Sequence, residues 1–283
     1  MEYFSGKTAF ITGGASGIGR ALAAELATMG ARIIIGDIDR EAGEEAVRTI
    51  NGEGETQAAA RFELLDVTSA EMFREVVGRI VADYGRIDFF FNNAGVGLNA
   101  EFKDSSVEDI DRLSSVNLLG ATYGLHAVYL QMIKQGGGHI INTGSTASLA
   151  PLPIHSVYAM SKFGMMGITG VLRIEGAAYG INASIVCPGY IDTPHHTSLK
   201  MVGYDREKMR VINGKPFPAD KCAKKILKGV RRNKPVITIQ AAARIVWWLY
   251  RIHPSLFFFV GRIMLKTINK AKTLSNPKIL TMD

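Results

Sequence analysis

Tyr158 and Lys162 stand four residues apart in a stretch whose apolar spacing predicts a helix over 158–179, so their side chains share one helical face. A free tyrosine, with a pKa of about 10, is a poor base near neutrality. An ammonium one turn away favours the phenolate and draws that pKa down, and a group titrating near the working pH makes an effective general acid–base catalyst. The pair could therefore move a proton to or from an alcohol or carbonyl oxygen. On its own, a tyrosine and a lysine at this spacing are usually solvent-facing, so the reading depends on what else the chain brings to them.

The next signal is TGGASGIG, Thr12 to Gly19, between a predicted strand and a predicted helix. Glycines there let the backbone turn tightly and approach a pyrophosphate, while the helix N-terminus offers free N–H groups and a positive dipole end. The spacing is not GxGxxG, and no Gly-Lys-Ser/Thr follows, which excludes a P-loop; a plain structural turn is the competing reading. Asp37 closes the second predicted strand, 18 residues beyond Gly19, near the distance at which an acidic residue meets adenosine ribose hydroxyls. A carboxylate there repels a 2′-phosphate and favours NAD over NADP. Arg20 and Arg40 could oppose this by pairing with such a phosphate, or could be solvated helix-face arginines. Asp66, after strand three, could contact the adenine amino group or cap the following helix.

The elements that must position these residues are legible as alternation. Strands are predicted at 7–12, 32–37, 60–65, 87–92, 138–143, 181–187 and 235–240, and helices at 18–29, 40–51, 69–84, 105–135, 158–179 and 219–231. Several strands are apolar at consecutive positions, as expected when helices cover both sheet faces. Repeated βα units with right-handed crossovers give a doubly wound, Rossmann-like α/β fold with a parallel sheet of about seven strands. Ligands in such sheets sit beyond the carboxyl ends of the strands. Residues 1–240 are expected to form the dinucleotide-binding and catalytic domain, and 241–283 an apolar-basic helical extension.

Taken together, the motifs resemble the short-chain dehydrogenases/reductases over roughly residues 5–195. They are TGGASGIG at 12–19, Asp66-Val67, NNAG at 92–95, Asn117, Ser145, YAMSK at 158–162 and PGYIDTP at 188–194. Their order and spacing, including the thirteen residues from Ser145 to Tyr158, carry the specificity that no single motif has. The resemblance implies NAD(P) in the crevice and a catalytic set of Asn117, Ser145, Tyr158 and Lys162. It implies cofactor contacts from Gly13, Ser16, Gly17, Ile18, Gly19, Asp37, Asp66, Val67, Asn93, Ala94, Gly95, Tyr158, Lys162, Pro188, Gly189, Ile191 and Thr193. In that scheme Ser145 fixes the substrate oxygen, with Ser148 as an alternative, and Asn117 holds a water toward Lys162 or merely supports a helix kink. The Asn92–Gly95 segment braces the central sheet. A homo-oligomer, dimer or tetramer, is also implied.

Composition narrows the remaining choices. Two cysteines, Cys187 and Cys222, are too few for a disulfide framework, and residues 1–12 lack the features of a secretory signal, so a cytoplasmic setting is expected. Cys187 reads as an inert strand residue. His155, His195 and His196 fall near the substrate mouth without a metal-ligand pattern, and no metal is expected. The walls at Val96–Leu98, Leu149–Ile154 and from Tyr190 onward are apolar, suiting a lipophilic secondary alcohol or ketone; residues 195–217 read as a lid flexing at Gly203 and Gly214. Net charge is +7, divided as −6 over residues 1–214 (18 basic, 24 acidic) and +13 over 215–283 (15 basic, 2 acidic). The apolar clusters Ile245–Tyr250 and Leu256–Val260 are broken by Arg251, His253 and Pro254, too short and too charged to span a bilayer. Residues 241–270 could instead rest on an anionic membrane surface or pack on the body and cover the pocket; packing is the preferred expectation. Nucleic-acid binding is not expected, because the aromatics cluster with aliphatics and do not interleave with cations.

Overall fold

The computed structural model describes residues 3–52, 59–194 and 199–273. In chain order the first half runs β1 (Thr8–Thr12), α1 (Gly17–Thr28), β2 (Arg32–Asp37), α2 (Arg40–Asn51), β3 (Ala60–Leu64), α3 (Ala70–Tyr84), β4 (Phe89–Asn92), β5 (Leu98–Asn99), α4 (Val107–Ser114) and α5 (Ala121–Lys134). The second half runs β6 (Gly138–Thr143), α6 (Ser156–Glu175), β7 (Ile181–Cys187), β8 (Lys200–Met201), α7 (Arg206–Asn213), α8 (Ala219–Arg231), β9 (Val236–Thr238), α9 (Ala241–Ile252) and α10 (Pro254–Ile268). Seven strands form one parallel sheet in the order β3-β2-β1-β4-β6-β7-β9. Strand order reverses between β1 and β4, which opens the ligand crevice at their carboxyl ends.

Consecutive apolar residues in the strands supply two cores at once, because successive side chains point to opposite faces. Ala9, Ile11, Ile33 and Ile35 meet α1 and α8 on one side through Leu22, Leu26, Ile226 and Val230. Phe10, Ile34 and Phe90 meet α3, α5 and α6 on the other through Phe73, Val76, Leu125 and Met165. Phe10 and Phe90 stack with centroids 5.3 Å apart. This double burial anchors β1 and β4, and hence both walls of the crevice.

The single helix predicted over 105–135 is interrupted. A π-turn at Ser115–Gly120 separates α4 from α5, and a Cβ on Gly120 would lie 2.7 Å from the Val67 carbonyl oxygen. Amphipathic periodicity runs through the break and does not report it. The last predicted strand shrinks to Val236–Thr238, since Gln240 already serves as the N-cap of α9. The short parallel pair β5–β8 and helix α7 were not anticipated, two-residue strands being below what alternation can signal.

The C-terminal residues pack on the body. Ala243 joins the core beneath α6 and Trp247 rests on it, while Ile268 and Ala271 close a small cluster with Ile154, Tyr204 and Met209. Glu101 accepts from Lys272 Nζ at 2.5 Å and from Tyr204 Oη at 2.9 Å, holding its carboxyl below the ordinary glutamate value through the Lys272 hydrogen bond. No described helix is long and apolar enough to cross a membrane.

Candidate active site

At the carboxyl end of β1 the chain must make two turns within a few residues, and glycine is required at each. Gly13 has φ +64°, and a Cβ on it would lie 2.8 Å from Ala94 Cα; on Gly19 it would lie 2.1 Å from the Gly13 carbonyl oxygen. Gly17, at φ +53°, opens α1 with Thr193 directly above it, 3.2 Å from a notional Cβ. The Ser16 side chain caps nothing and the first turn of α1 holds no acidic residue, so its N–H groups and dipole face the crevice uncompensated. This cradle fits a dinucleotide pyrophosphate.

Asp37 lines the same cavity, its carboxylate accepting from Ala15 N at 3.0 Å and Asp39 N at 3.2 Å. Those backbone bonds fix its orientation without consuming all of its acceptor capacity. The two arginines that could have opposed it are engaged elsewhere. Arg20 donates to Thr49 Oγ1 at 3.2 Å, and Arg40 pairs with Glu44 at 3.5 Å. Asp66 is not the cap of α3, a role taken by Ser69, which accepts from Met72 N at 3.1 Å. Asp66 instead ties Thr68 through one oxygen and lines the cavity beside Val67.

The segment after β4 braces the crevice through Asn93. Its backbone N–H donates to Thr12 Oγ1, its amide donates to the Thr12 and Gly13 carbonyls, and its Oδ1 accepts from Thr143 Oγ1. Ala94 N also donates to Thr12 Oγ1. The strands on either side of the switch point are thus sewn together where the adenosine half would lie.

At the other end of the cavity, α6 delivers Tyr158 and Lys162 and the turn after β6 delivers Ser145. Lys162 Nζ lies 5.6 Å from the centre of the Tyr158 ring and donates to the Thr143 carbonyl at 2.9 Å. The Ser145 hydroxyl is close enough to the phenol to favour its ionised form. Ser148 is buried, and its hydroxyl accepts from Ser145 N at 3.0 Å, which holds Ser145 in place. Asn117 sits in the π-turn with its amide committed in both directions to Val96, 2.8 Å from the backbone N and 2.9 Å from the carbonyl, and near Ser161 at 3.4 Å. A Cβ on Gly95 would lie 3.1 Å from Asn117 Oδ1 and 3.6 Å from Lys162 Nζ, so Asn117 and Lys162 flank the same backbone.

The electrostatics depart from the simple lysine–tyrosine expectation. Burial dominates both groups, raising the Tyr158 phenol above its ordinary value, with Ser145 pulling the other way, and lowering Lys162 to about 8. The low-dielectric pocket favours the neutral phenol, the form that donates a proton to a carbonyl oxygen. Cys187, beneath this pair, is fully buried and its thiol is pushed up to about 12 by desolvation, so it is inert as a nucleophile. His155 lines the cavity with Nδ1 2.6 Å from the Pro153 carbonyl, and burial lowers its pKa. His195 and His196 lie outside the described residues.

One residue was missed from the sequence. Gln240 accepts from Gly189 N at 2.8 Å and donates to the Tyr190 carbonyl at 3.1 Å, clamping the Pro188–Thr193 segment from the first residue of the C-terminal hairpin. Pro188 is held from the other side by Thr146. Nothing in the local pattern distinguishes Gln240 from a strand-end glutamine. Replacing Gln240 with alanine leaves Gly189 N and Tyr190 O without this partner and is expected to raise KM for the dinucleotide roughly tenfold, with a smaller effect on kcat; steady-state kinetics over a range of cofactor concentrations measures both.

The cavity joining these parts is about 880 Å3. Ile191 and Thr193 cover it from one side, and Leu199, Met209 and Asn213 from the segment read as a lid. That segment is tied to the body by Lys200, which pairs with the buried Asp109 at 2.8 Å. Val246, Met264 and Ile268 of the hairpin complete an apolar wall. A second, more open groove of about 680 Å3 shares Leu152 and Pro153 with it and runs out past Tyr250 and Leu265.

Known proteins carry the same plan. A family model described as short chain dehydrogenase matches residues 7–201. The probable oxidoreductase EphD of Mycobacterium tuberculosis H37Rv is 33% identical over 272 residues, which cover 92% of this chain and 45% of that protein; the chain spans about half the length of that relative. A short chain dehydrogenase/reductase from Burkholderia phymatum, solved in complex with NAD, shares the fold at TM-score 0.77 and 24% identity, covering 98% of this chain and 99% of its own. An NAD+-bound xylitol dehydrogenase is 28% identical at TM-score 0.74, covering 83% and 96%. With more than half of its length matched by the family model, the chain belongs to the short-chain dehydrogenase/reductase family of oxidoreductases.

Proposed function

We propose that the protein is an NAD-dependent oxidoreductase that interconverts a lipophilic secondary alcohol and the corresponding ketone, with Tyr158 as the general acid–base. The observation that carries this reading is one cavity with the glycine cradle and Asp37 at one end and Ser145, Tyr158 and Lys162 at the other. When bound, the nicotinamide would supply or accept the hydride. In the reductive direction Ser145 holds the substrate oxygen by hydrogen bonding and Tyr158 donates its phenolic proton to it. Lys162, anchored by one N–H on Thr143, keeps further donors to orient the ribose and Tyr158. In the oxidative direction the same proton returns from the hydroxyl to Tyr158. Pro188, Gly189, Ile191 and Thr193, clamped by Gln240, would contact the nicotinamide side.

Apolar walls from α9, α10 and Leu152–Ile154 support a lipophilic substrate, and an NAD+-bound relative with this architecture supports the cofactor. A homo-oligomer is part of the proposal. Helix α6 turns Met160, Phe163, Val171 and Ile174 to solvent beside Gly167 and Gly170, an apolar face with small residues that lets a second copy approach closely.

A spectrophotometric screen at about 340 nm with both cofactors and a range of alicyclic, aromatic and long-chain alcohols and ketones tests the assignment. NAD(H) is expected to bind at least about tenfold more tightly than NADP(H), and Asp37→Ser to erase most of that preference by removing the carboxylate that repels a 2′-phosphate. Tighter binding of NADP(H) by the native chain overturns the cofactor assignment.

A further inference from the structure

The C-terminal hairpin has two faces, and only one of them serves the cavity. Inward, Ala243, Phe257, Ile268 and Ala271 are buried. Outward, α9 presents Ile245, Trp248 and Ile252 at i, i+3 and i+7, exposed by 67%, 57% and 58%. Helix α10 presents Leu256, Phe259 and Ile263 with the same spacing, exposed by 49%, 59% and 50%. A run of large apolar side chains this exposed on adjacent helices marks an interaction surface.

Charge identifies what covers it. No aspartate or glutamate occurs from residue 221 to residue 282. Arg244 and Arg251 border the α9 stripe, with Arg251 over the Trp247 ring at 5.4 Å, and Arg262 and Lys266 stand four apart on the exposed side of α10, with the exposed Lys270 four further on in the turn that follows. A second copy docking through this face about a two-fold axis would set the same cationic patch against itself, since no carboxylate of the hairpin could answer it. An anionic surface that also accepts aromatic and aliphatic side chains matches both properties. Trp, Phe and Ile beside Arg and Lys are what interfacial helices use to enter the headgroup layer.

We propose that the α9–α10 hairpin docks the protein on the surface of an anionic lipid membrane through its outward face. The bilayer is not crossed. The same hairpin lines the cavity through Val246, Met264 and Ile268 and the adjoining groove through Tyr250 and Leu265. Docking therefore sets the groove, which on the functional reading above leads to the reaction centre, beside a reservoir of lipophilic molecules.

The chain's two tryptophans both lie on α9, Trp248 on the outward face and Trp247 against the core, so tryptophan emission reports on this hairpin. The full-length protein is mixed with phosphatidylglycerol vesicles and, separately, with phosphatidylcholine vesicles, and followed by sedimentation and tryptophan emission. Expected are binding and a blue shift with phosphatidylglycerol, little with phosphatidylcholine, and weakening of binding by added salt. Ile252→Glu/Phe259→Glu should cut the bound fraction by roughly tenfold or more, and Arg262→Gln/Lys266→Gln should weaken binding by about fivefold for each charge removed. Both variants should keep the native melting curve and dinucleotide affinity, which separates failure here from failure of the enzymatic reading. No sedimentation of the native protein at low salt overturns the proposal. So does binding unaffected by Ile252→Glu/Phe259→Glu, or a change of oligomeric state in that variant without any vesicle binding by the native chain, which would assign the face to a second copy.

Discussion

Tyr158→Phe is expected to lower kcat by about 10³-fold while leaving the dissociation constant for NADH within a factor of two or so of the native value. Only one oxygen is removed. The ring stays beneath His155, their centroids 6.1 Å apart, and beside Lys162, so the cavity keeps its shape. On the proposed mechanism, what disappears is the group that exchanges a proton with the substrate oxygen, while Ser145 remains to bind that oxygen. Because the phenol is lifted above its ordinary value by burial, the native enzyme holds it protonated at neutral pH. Reduction of a ketone should therefore proceed without loss across the neutral range, whereas oxidation of an alcohol, which needs the base, should quicken as pH rises. Initial rates in both directions from about pH 6 to 10 check this. A variant that retains native turnover would show that the proton takes another route.

Lys162→Met is expected to abolish measurable turnover and at the same time to stabilise the fold near neutral pH. Burial moves this ammonium from 10.5 to about 8, so the charge is held in the pocket at a cost. Below about pH 8 both folded and unfolded chains carry the proton, and the native state bears the full penalty, on the order of 3 kcal/mol or less. Between about 8 and 10.5 the unfolded chain binds more protons than the folded one, so native stability at this site rises with pH and the penalty fades. Methionine has no such charge but gives up the hydrogen bond to Thr143, which offsets part of the gain. Denaturant melts of the two proteins at about pH 7 and pH 10 should show the variant more stable at the lower pH and the gap closing at the higher one. A variant less stable at pH 7 than at pH 10 relative to the native chain would reverse the sign and refute the buried-charge description.

These expectations rest on parts of the molecule that the sequence exposed to different degrees. The seven strands were legible because β1, β2, β4 and β7 are apolar on both faces, a pattern that only a helix-covered parallel sheet explains. The glycine turn, Asp37, Ser145, Tyr158 and Lys162 were legible because their chemistry needs those residue types at those spacings, and the structure brings them to one cavity. The sign of the Tyr158 shift was not legible. It depends on how deeply the pair is buried, a property of Leu152, His155 and the C-terminal wall that no local spacing encodes. The π-turn around Asn117 and the clamp by Gln240 escaped for the same reason: each is set by a distant backbone, that of Val96 in one case and of Gly189 in the other. Ser148, open as an alternative to Ser145 from sequence, lies buried with its hydroxyl on Ser145 N, a contact that local spacing does not encode. The tail's amphipathic clusters predicted helices and packing on the body, but not that Ala243 would join the main core with Trp247 resting on it.

The most direct test follows an atom. Reduced dinucleotide carrying deuterium at the transferable position of nicotinamide C4 is incubated with the native protein and lipophilic ketones, and the product is analysed by mass spectrometry and NMR. The expected result is one deuterium on the carbinol carbon, with a solvent-derived proton on the oxygen, and no such product from Tyr158→Phe on the same time scale. Product formed without deuterium at that carbon, or no conversion of any ketone by protein that binds the dinucleotide, would contradict hydride transfer across this cavity.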